Sequence, residues 1–95
     1  LALELGGRGI RVNCVAPDMI PTPGDAGLAA DSSAMSTEHH PTPLRRMGST
    51  DECAAVIAFL ASDLASFVTG TSIPVDGGTV AGAAWKVGLD GTFRM

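Results

Sequence analysis

Ile10 to Thr22 reads IRVNCVAPDMIPT, and the reading of this stretch decides the fold. Its first half, Ile10 to Val15, carries β-branched and apolar residues in partial alternation, the pattern of a buried strand. Pro17 ends that strand, because its nitrogen has no hydrogen to give to a ladder. The residues that follow, Asp18 to Thr22, are small, polar and punctuated by Pro21. Ligands of open α/β sheets bind beyond the carboxyl ends of strands, and this loop leaves such an end. The loop from Pro17 to Thr22 is therefore a candidate for a binding role.

Upstream, LALEL (Leu1 to Leu5) reads as the last turns of a helix, and Gly6-Gly7 as its stop signal, since glycine takes the left-handed conformation past a helix end without steric cost. Helix, short turn and strand make the second half of a βαβ unit. Downstream, Pro21, Pro23 and Gly24 open a segment that runs to about Gly48 and is rich in Ala, Ser, Thr and Pro. It exceeds the ~12–15 residues usual for a structureless loop, which points to a functional lid or a partly helical piece. GLAADSSAM, Gly27 to Met35, is the place for a short helix.

Ser49-Thr50-Asp51-Glu52 has the form of a capping box, with Asp51 favourable to the helix dipole. Cys53, Val56, Ile57 and Leu60 then fall at helical spacing, widened by Phe59, and read as core packing. The helix is expected to end near Ser62-Asp63. A turn at Gly70, a strand over Ser72 to Val75 and an Asp76-Gly77-Gly78 turn follow. Pro74 cannot donate a ladder bond, which assigns that strand to a sheet edge. Gly77-Gly78 lacks the helix start and the spacing of a phosphate loop. The tail, Thr79 to Met95, reads as an extension that packs on something else rather than as a self-sufficient element.

Composition bounds the function. Ninety-five residues allow one small domain or part of a larger one. The chain is 45% hydrophobic and only 17% charged, too little charge to cover the surface of a lone small domain. With Leu1 in place of Met and no cap before the first helix, the expectation is a fragment whose apolar faces belong against something else. No apolar run approaches the ~18 residues of a membrane span. The net charge is −4, with no basic stripe, one Trp, three Phe and no Tyr, which disfavours nucleic acid. Cys14 and Cys53 have no metal-ligand spacing and read as buried free thiols, consistent with a reducing cytoplasm. His39-His40 has no flanking ligand cluster, so no metal site is expected. Arg45-Arg46 reads as a solvated or salt-bridged pair.

Three blocks carry a family resemblance. ALELGGRGIRVNCVAP (Ala2 to Pro17) resembles the sixth-strand region of short-chain dehydrogenases/reductases. PLRRMGSTDECAAVIAFLASD (Pro43 to Asp63) is similar to the capped helix before their last strand, and SFVTGTSIPVDGG (Ser66 to Gly78) to that strand and its glycine end. The resemblance implies the C-terminal portion of a Rossmann-like, doubly wound α/β parallel sheet over residues 1–78. It implies a substrate-loop or lid region at 23–47, and the tail extension at 79–95 lies beyond it. It implies NAD or NADP as cofactor, with the Ile20 amide and Thr22 on the nicotinamide carboxamide, and Pro17, Ile20 and Thr22 matching the family's wording of this loop. Asp18 stands where the family usually has Gly. If that position requires a positive φ, Asp tolerates it at some cost.

The same resemblance implies hydride transfer between the nicotinamide and a carbonyl or secondary alcohol. The small, mildly apolar loop residues suit a non-ionic substrate. It also implies a dimer or tetramer in the full-length protein, while the cytoplasmic location expected rests on the free thiols. The family's catalytic Ser, Tyr and Lys and its phosphate loop are expected upstream of Leu1. The sequence has no Tyr and a single Lys, Lys86 in the tail, so no catalytic residue is assigned and the isolated chain is expected to be inactive. The alternatives are a naturally short, non-catalytic interaction module, pairing through its sheet edge and last helix, and a full-length but inactive relative, at which Asp18 hints.

Overall fold

The computed structural model describes residues 1–25, 39–40, 42–83, 85–88 and 90–95. The first helix, α1 (Ala2–Leu5), runs directly into a 3-10 turn over Gly6–Arg8. Gly6 keeps right-handed angles and its N–H still bonds the Ala2 carbonyl. The left-handed residue is Gly9, at φ 74°, two residues later than Gly6-Gly7 had suggested. The helix tightens before it stops, and only the residue that reverses the chain needs glycine.

Strand β1 covers Cys14–Pro17 rather than Ile10 to Val15. The residues before it bond through side chains instead of a regular ladder. Val12 N–H donates to Thr69 Oγ1 at 3.0 Å. The Asn13 amide donates to the Val68 carbonyl at 2.9 Å and accepts the Thr71 N–H at 3.2 Å. Arg11 reaches the Val68 and Ser62 carbonyls at 3.3 and 3.2 Å. The ladder becomes regular where Cys14 N–H meets the Thr71 carbonyl at 2.9 Å.

Strand β3 (Ser72–Val75) lies parallel to β1, with Cys14 opposite Ser72 and Pro17 opposite Val75. The two strands end level with one another, and one more bond, Asp18 N–H to the Val75 carbonyl at 3.1 Å, closes the pair. A parallel pair needs a crossover. Here it includes α2 (Thr50–Ala61). The capping box is present: the Ser49 side chain accepts the Glu52 N–H, and Glu52 Oε1 accepts the Ser49 N–H at 3.1 Å. The helix ends at Ala61, and the Ser62 hydroxyl caps the 3-10 turn Asp63–Ala65.

Leu60 and Ala65 are the buried apolar residues among those described. The rest of the expected stripe is only partly covered: Cys53 and Val56 are half-buried and Ile57 is exposed. Cys14 is exposed, not buried. The reason is shared: among the described residues β1 has a hydrogen-bonded neighbour on one side only, and α2 packs against a sheet of two strands.

A second, antiparallel sheet was not anticipated. It joins β2 (His39–His40), β4 (Lys86–Gly88) and β5 (Phe93–Arg94), in the order β2-β4-β5. His39-His40 is thus strand, not loop. The tail forms elements of its own, a short helix α3 (Thr79–Gly82) and the β4–β5 hairpin. Asp90 Oδ1 shapes the hairpin turn by accepting the Thr92 N–H at 3.0 Å and hydroxyl at 2.7 Å, with Gly91 at φ 84°. The helix expected over Gly27 to Met35 lies outside the described residues.

Candidate functional site

The site forms where β1 and β3 end together. Asp18 follows β1 and turns its carboxylate back on its own chain, accepting the Met19 N–H at 2.8 Å. The positive φ of this turn falls on Met19, at 56°, and not on Asp18. Asp in place of the family's usual Gly therefore carries no backbone strain; the strain sits one residue later, on a side chain unsuited to it. The Met19 carbonyl accepts the Gly48 N–H at 3.0 Å. A Cβ on Gly48 would stand 3.0 Å from Ile20 Cγ1, so any larger residue at this close approach of the loop's two ends has to displace the Ile20 side chain.

The opposite wall is the corner Thr42–Arg46. Thr42 is fully buried, and its hydroxyl meets both the carbonyl and the N–H of Arg46, at 3.0 and 3.2 Å. The corner rests on the turn after β3. Leu44 N–H donates to the Gly77 carbonyl at 3.1 Å. A Cβ on Gly77 would stand 3.1 Å from Thr42 Cβ, and one on Gly78 only 2.9 Å from Pro43 Cγ. Both glycines also have positive φ, 63° and 93°.

Charge at the site is internally satisfied. Arg46 grips Glu52 with two bonds of 2.8 and 2.7 Å. That pairing holds the Glu52 carboxyl down at about 2, aided by the Ser49 N–H and hydroxyl, and raises Arg46. Asp76 is almost buried, 8% exposed, and its carboxylate accepts the Val80 and Gly78 N–H groups, each at 2.9 Å. Those bonds favour the ionised form and lower its pKa. Between the walls lies a cavity of about 410 Å³ whose apolar lining includes Met19, Ile20, Pro43 and Leu44.

Two of the four candidate residues, Asp18 and Ile20, line this cavity. Pro17 closes β1 opposite Val75, and Thr22 is exposed just before the 3-10 turn Pro23–Asp25. Among the described residues no acceptor meets the Ile20 N–H. The sequence reading passed over Met19, Thr42 and Gly48. A buried threonine beside proline carries no pattern of its own, although the glycine pair it packs against was visible. Among the described residues no cluster of three His, Cys, Asp or Glu could hold a metal ion, and no helix is long and apolar enough to cross a membrane.

A level-ended parallel pair with its crossover helix, and a loop leaving the carboxyl end, define part of a Rossmann-like α/β domain. The family model described as enoyl-(acyl carrier protein) reductase matches residues 1–80. A 3beta-hydroxysteroid dehydrogenase of Eggerthella lenta is 47% identical over 78 residues, covering 82% of this chain and 30% of the relative. A 4-hydroxyisoleucine dehydrogenase mutant complexed with NADH and succinate superposes with TM-score 0.77 at 33% identity, over 85% of this chain and 33% of that one. An NADPH-dependent reductase involved in bacilysin biosynthesis superposes with TM-score 0.69 at 34% identity, over 82% and 33%. The chain belongs to the short-chain dehydrogenase/reductase family of oxidoreductases. It spans about 30% of the length of the curated relatives it matches.

Proposed function

We propose that residues 17–22 form the nicotinamide wall of an NAD(P)-dependent oxidoreductase acting on a carbonyl or secondary alcohol. The single observation that carries this is the Ile20 N–H, which lacks an acceptor among the described residues while Ile20 lines the cavity at the strand ends. A carboxamide oxygen is the acceptor such a donor fits. The bound cofactor would supply the hydride chemistry, and the protein position and electrostatics. In this reading Ile20 and Thr22 orient the ring, Asp18 keeps its carboxylate on the Met19 N–H and off the cofactor, and Gly48 holds the loop in place. One neighbour is complexed with NADH and another is NADPH-dependent, so the class of cofactor is proposed and not its 2′ group. The sequence holds no tyrosine, and the acid–base step is assigned to none of its residues. Residues 23–47 are proposed as the substrate loop.

Ile20→Pro removes the donor at a position outside any ladder. Cofactor binding by the native protein, followed by quenching of NADH or NADPH fluorescence, is expected to weaken about tenfold, the loss of one good hydrogen bond. Unchanged binding would reject the assignment. A second reading, a non-catalytic module that pairs with another chain, is favoured by the bare Leu64 and Phe67 and predicts no cofactor binding by the native protein at all.

A further inference from the structure

The tail takes no part in the loop after β1, yet it is fastened to the far end of the same long segment. β4 pairs with β2, His39 opposite Gly88 and His40 opposite Val87. Two residues beyond His40 the chain enters the buried Thr42 corner, which sits on Gly77-Gly78. Gly78 is also where the tail departs, as the residue before α3. The tail therefore departs from the turn on which the corner rests and pairs again with the chain just ahead of that corner.

Each part of this circuit is fixed locally. The Asp76 carboxylate holds the first turn of α3 through the Gly78 and Val80 N–H groups, and the Thr79 hydroxyl donates to the Asp76 carbonyl at 2.7 Å. Trp85 N–H donates to the Gly82 carbonyl at 2.9 Å, and Gly88 N–H to the Thr92 carbonyl at 2.7 Å. The fastening to β2 itself is slight, two residue pairs at the margin of a three-stranded sheet. Short ladders of this kind open locally far below the free energy of global unfolding.

We infer that residues 79–95 are a strap. They hold the end of the long loop down beside the cavity, with the Thr42–Pro43 corner as the fulcrum and the β2–β4 pairing as the releasable clasp. The loop's end cannot lift from the strand ends until β4 lets go. That the strapped loop covers a substrate rests on the function proposed above; the strap itself rests only on the pairing.

The test is amide hydrogen exchange on the native protein and two variants. One is truncated after Gly82. The other carries Val87→Pro, which keeps the tail but removes a strand donor. Exchange at His40, whose pair with Val87 is the hydrogen-bonded one, is expected to accelerate about tenfold or more in both, while Cys14 and Asp18 in the β1–β3 ladder keep their protection. Unchanged exchange at His40 in either variant would overturn the strap. So would equal acceleration at Cys14 and Asp18, because the tail would then be part of the sheet's own stability. The readout needs no cofactor, so the strap and the nicotinamide wall stand or fall separately.

Discussion

At the carboxyl ends of β1 and β3 the chain closes on itself, whereas along α1 and at Leu64 and Phe67 after α2 it stays open. The contrast inverts the usual distribution of side chains. The best-covered residues at the closed end are polar, Thr42 at 0% exposure and Asp76 at 8%, while Leu3 and Phe67 at the open side are 96% and 100% exposed. Polar groups can be buried there because Thr42 and Asp76 find hydrogen-bond partners within a few residues, hydroxyl to carbonyl and carboxylate to N–H. Apolar faces have no such local remedy. They need a second layer, and in parallel α/β sheets both faces are covered. The closed end is thus determined by residues on this chain, and the open side presents surface of the kind that partners cover.

Substitutions can break or sharpen that contrast. Gly78→Val is expected to have the largest effect, a loss of on the order of 3 kcal/mol, since a side chain there meets Pro43 at a φ of 93°. Urea denaturation measures it, and a loss below about 1 kcal/mol would mean that the corner shifts freely on its seat. Met19→Gly is expected to stabilise by about 1 kcal/mol, by relieving the positive φ that methionine bears. A destabilisation would instead show that the methionine side chain holds the wall.

The Arg46–Glu52 pair is a smaller matter for stability, being exposed. Its signature is a titration. The Glu52 pKa is depressed in the folded protein, so the pair's contribution is complete above the ordinary value of 4.5 and is lost as pH falls toward about 2. Arg46→Ala should return the Glu52 carboxyl toward 4.5, read from its carbon chemical shift. Phe67→Ser on the open side should change stability by no more than about 0.5 kcal/mol. A larger loss would mean that this face is covered in solution, and sedimentation would then show by how many copies.

The elements around the site were legible because their signals are local. The Ser49–Glu52 capping box, the stop at Ala61, the Gly70 turn and the Ser72–Val75 strand all follow from residues within a few positions of one another. The start of β1 was not, because Arg11, Val12 and Asn13 are engaged by residues more than fifty positions away. The β2–β4 pairing joins two short runs without alternation, and no window of sequence connects them. Burial failed for a different reason. Cys14 and Ile57 have the sequence of core residues, but exposure depends on what stands opposite them and not on their own type. At the site, the loop and its Asp18 were visible, while the carrier of the positive φ and the buried Thr42 emerged only from the geometry.

The two strand prolines have a consequence for self-association. Cys14 and Asp18 both point their N–H groups at β3, through the Thr71 and Val75 carbonyls. Direction alternates along a strand, so the nitrogens of Val15 and Pro17 face away from the pair, and by the same alternation so do those of Ser72 and Pro74. Each outer margin of the ribbon therefore has a proline at one of its outward positions, leaving Val15 on one side and Ser72 on the other as donors within the strands. An incoming strand from a misfolded or aggregating chain would find a single amide donor within the strand on either side. Cross-β stacking requires an unbroken series, and this ribbon interrupts it without losing any bond of its own.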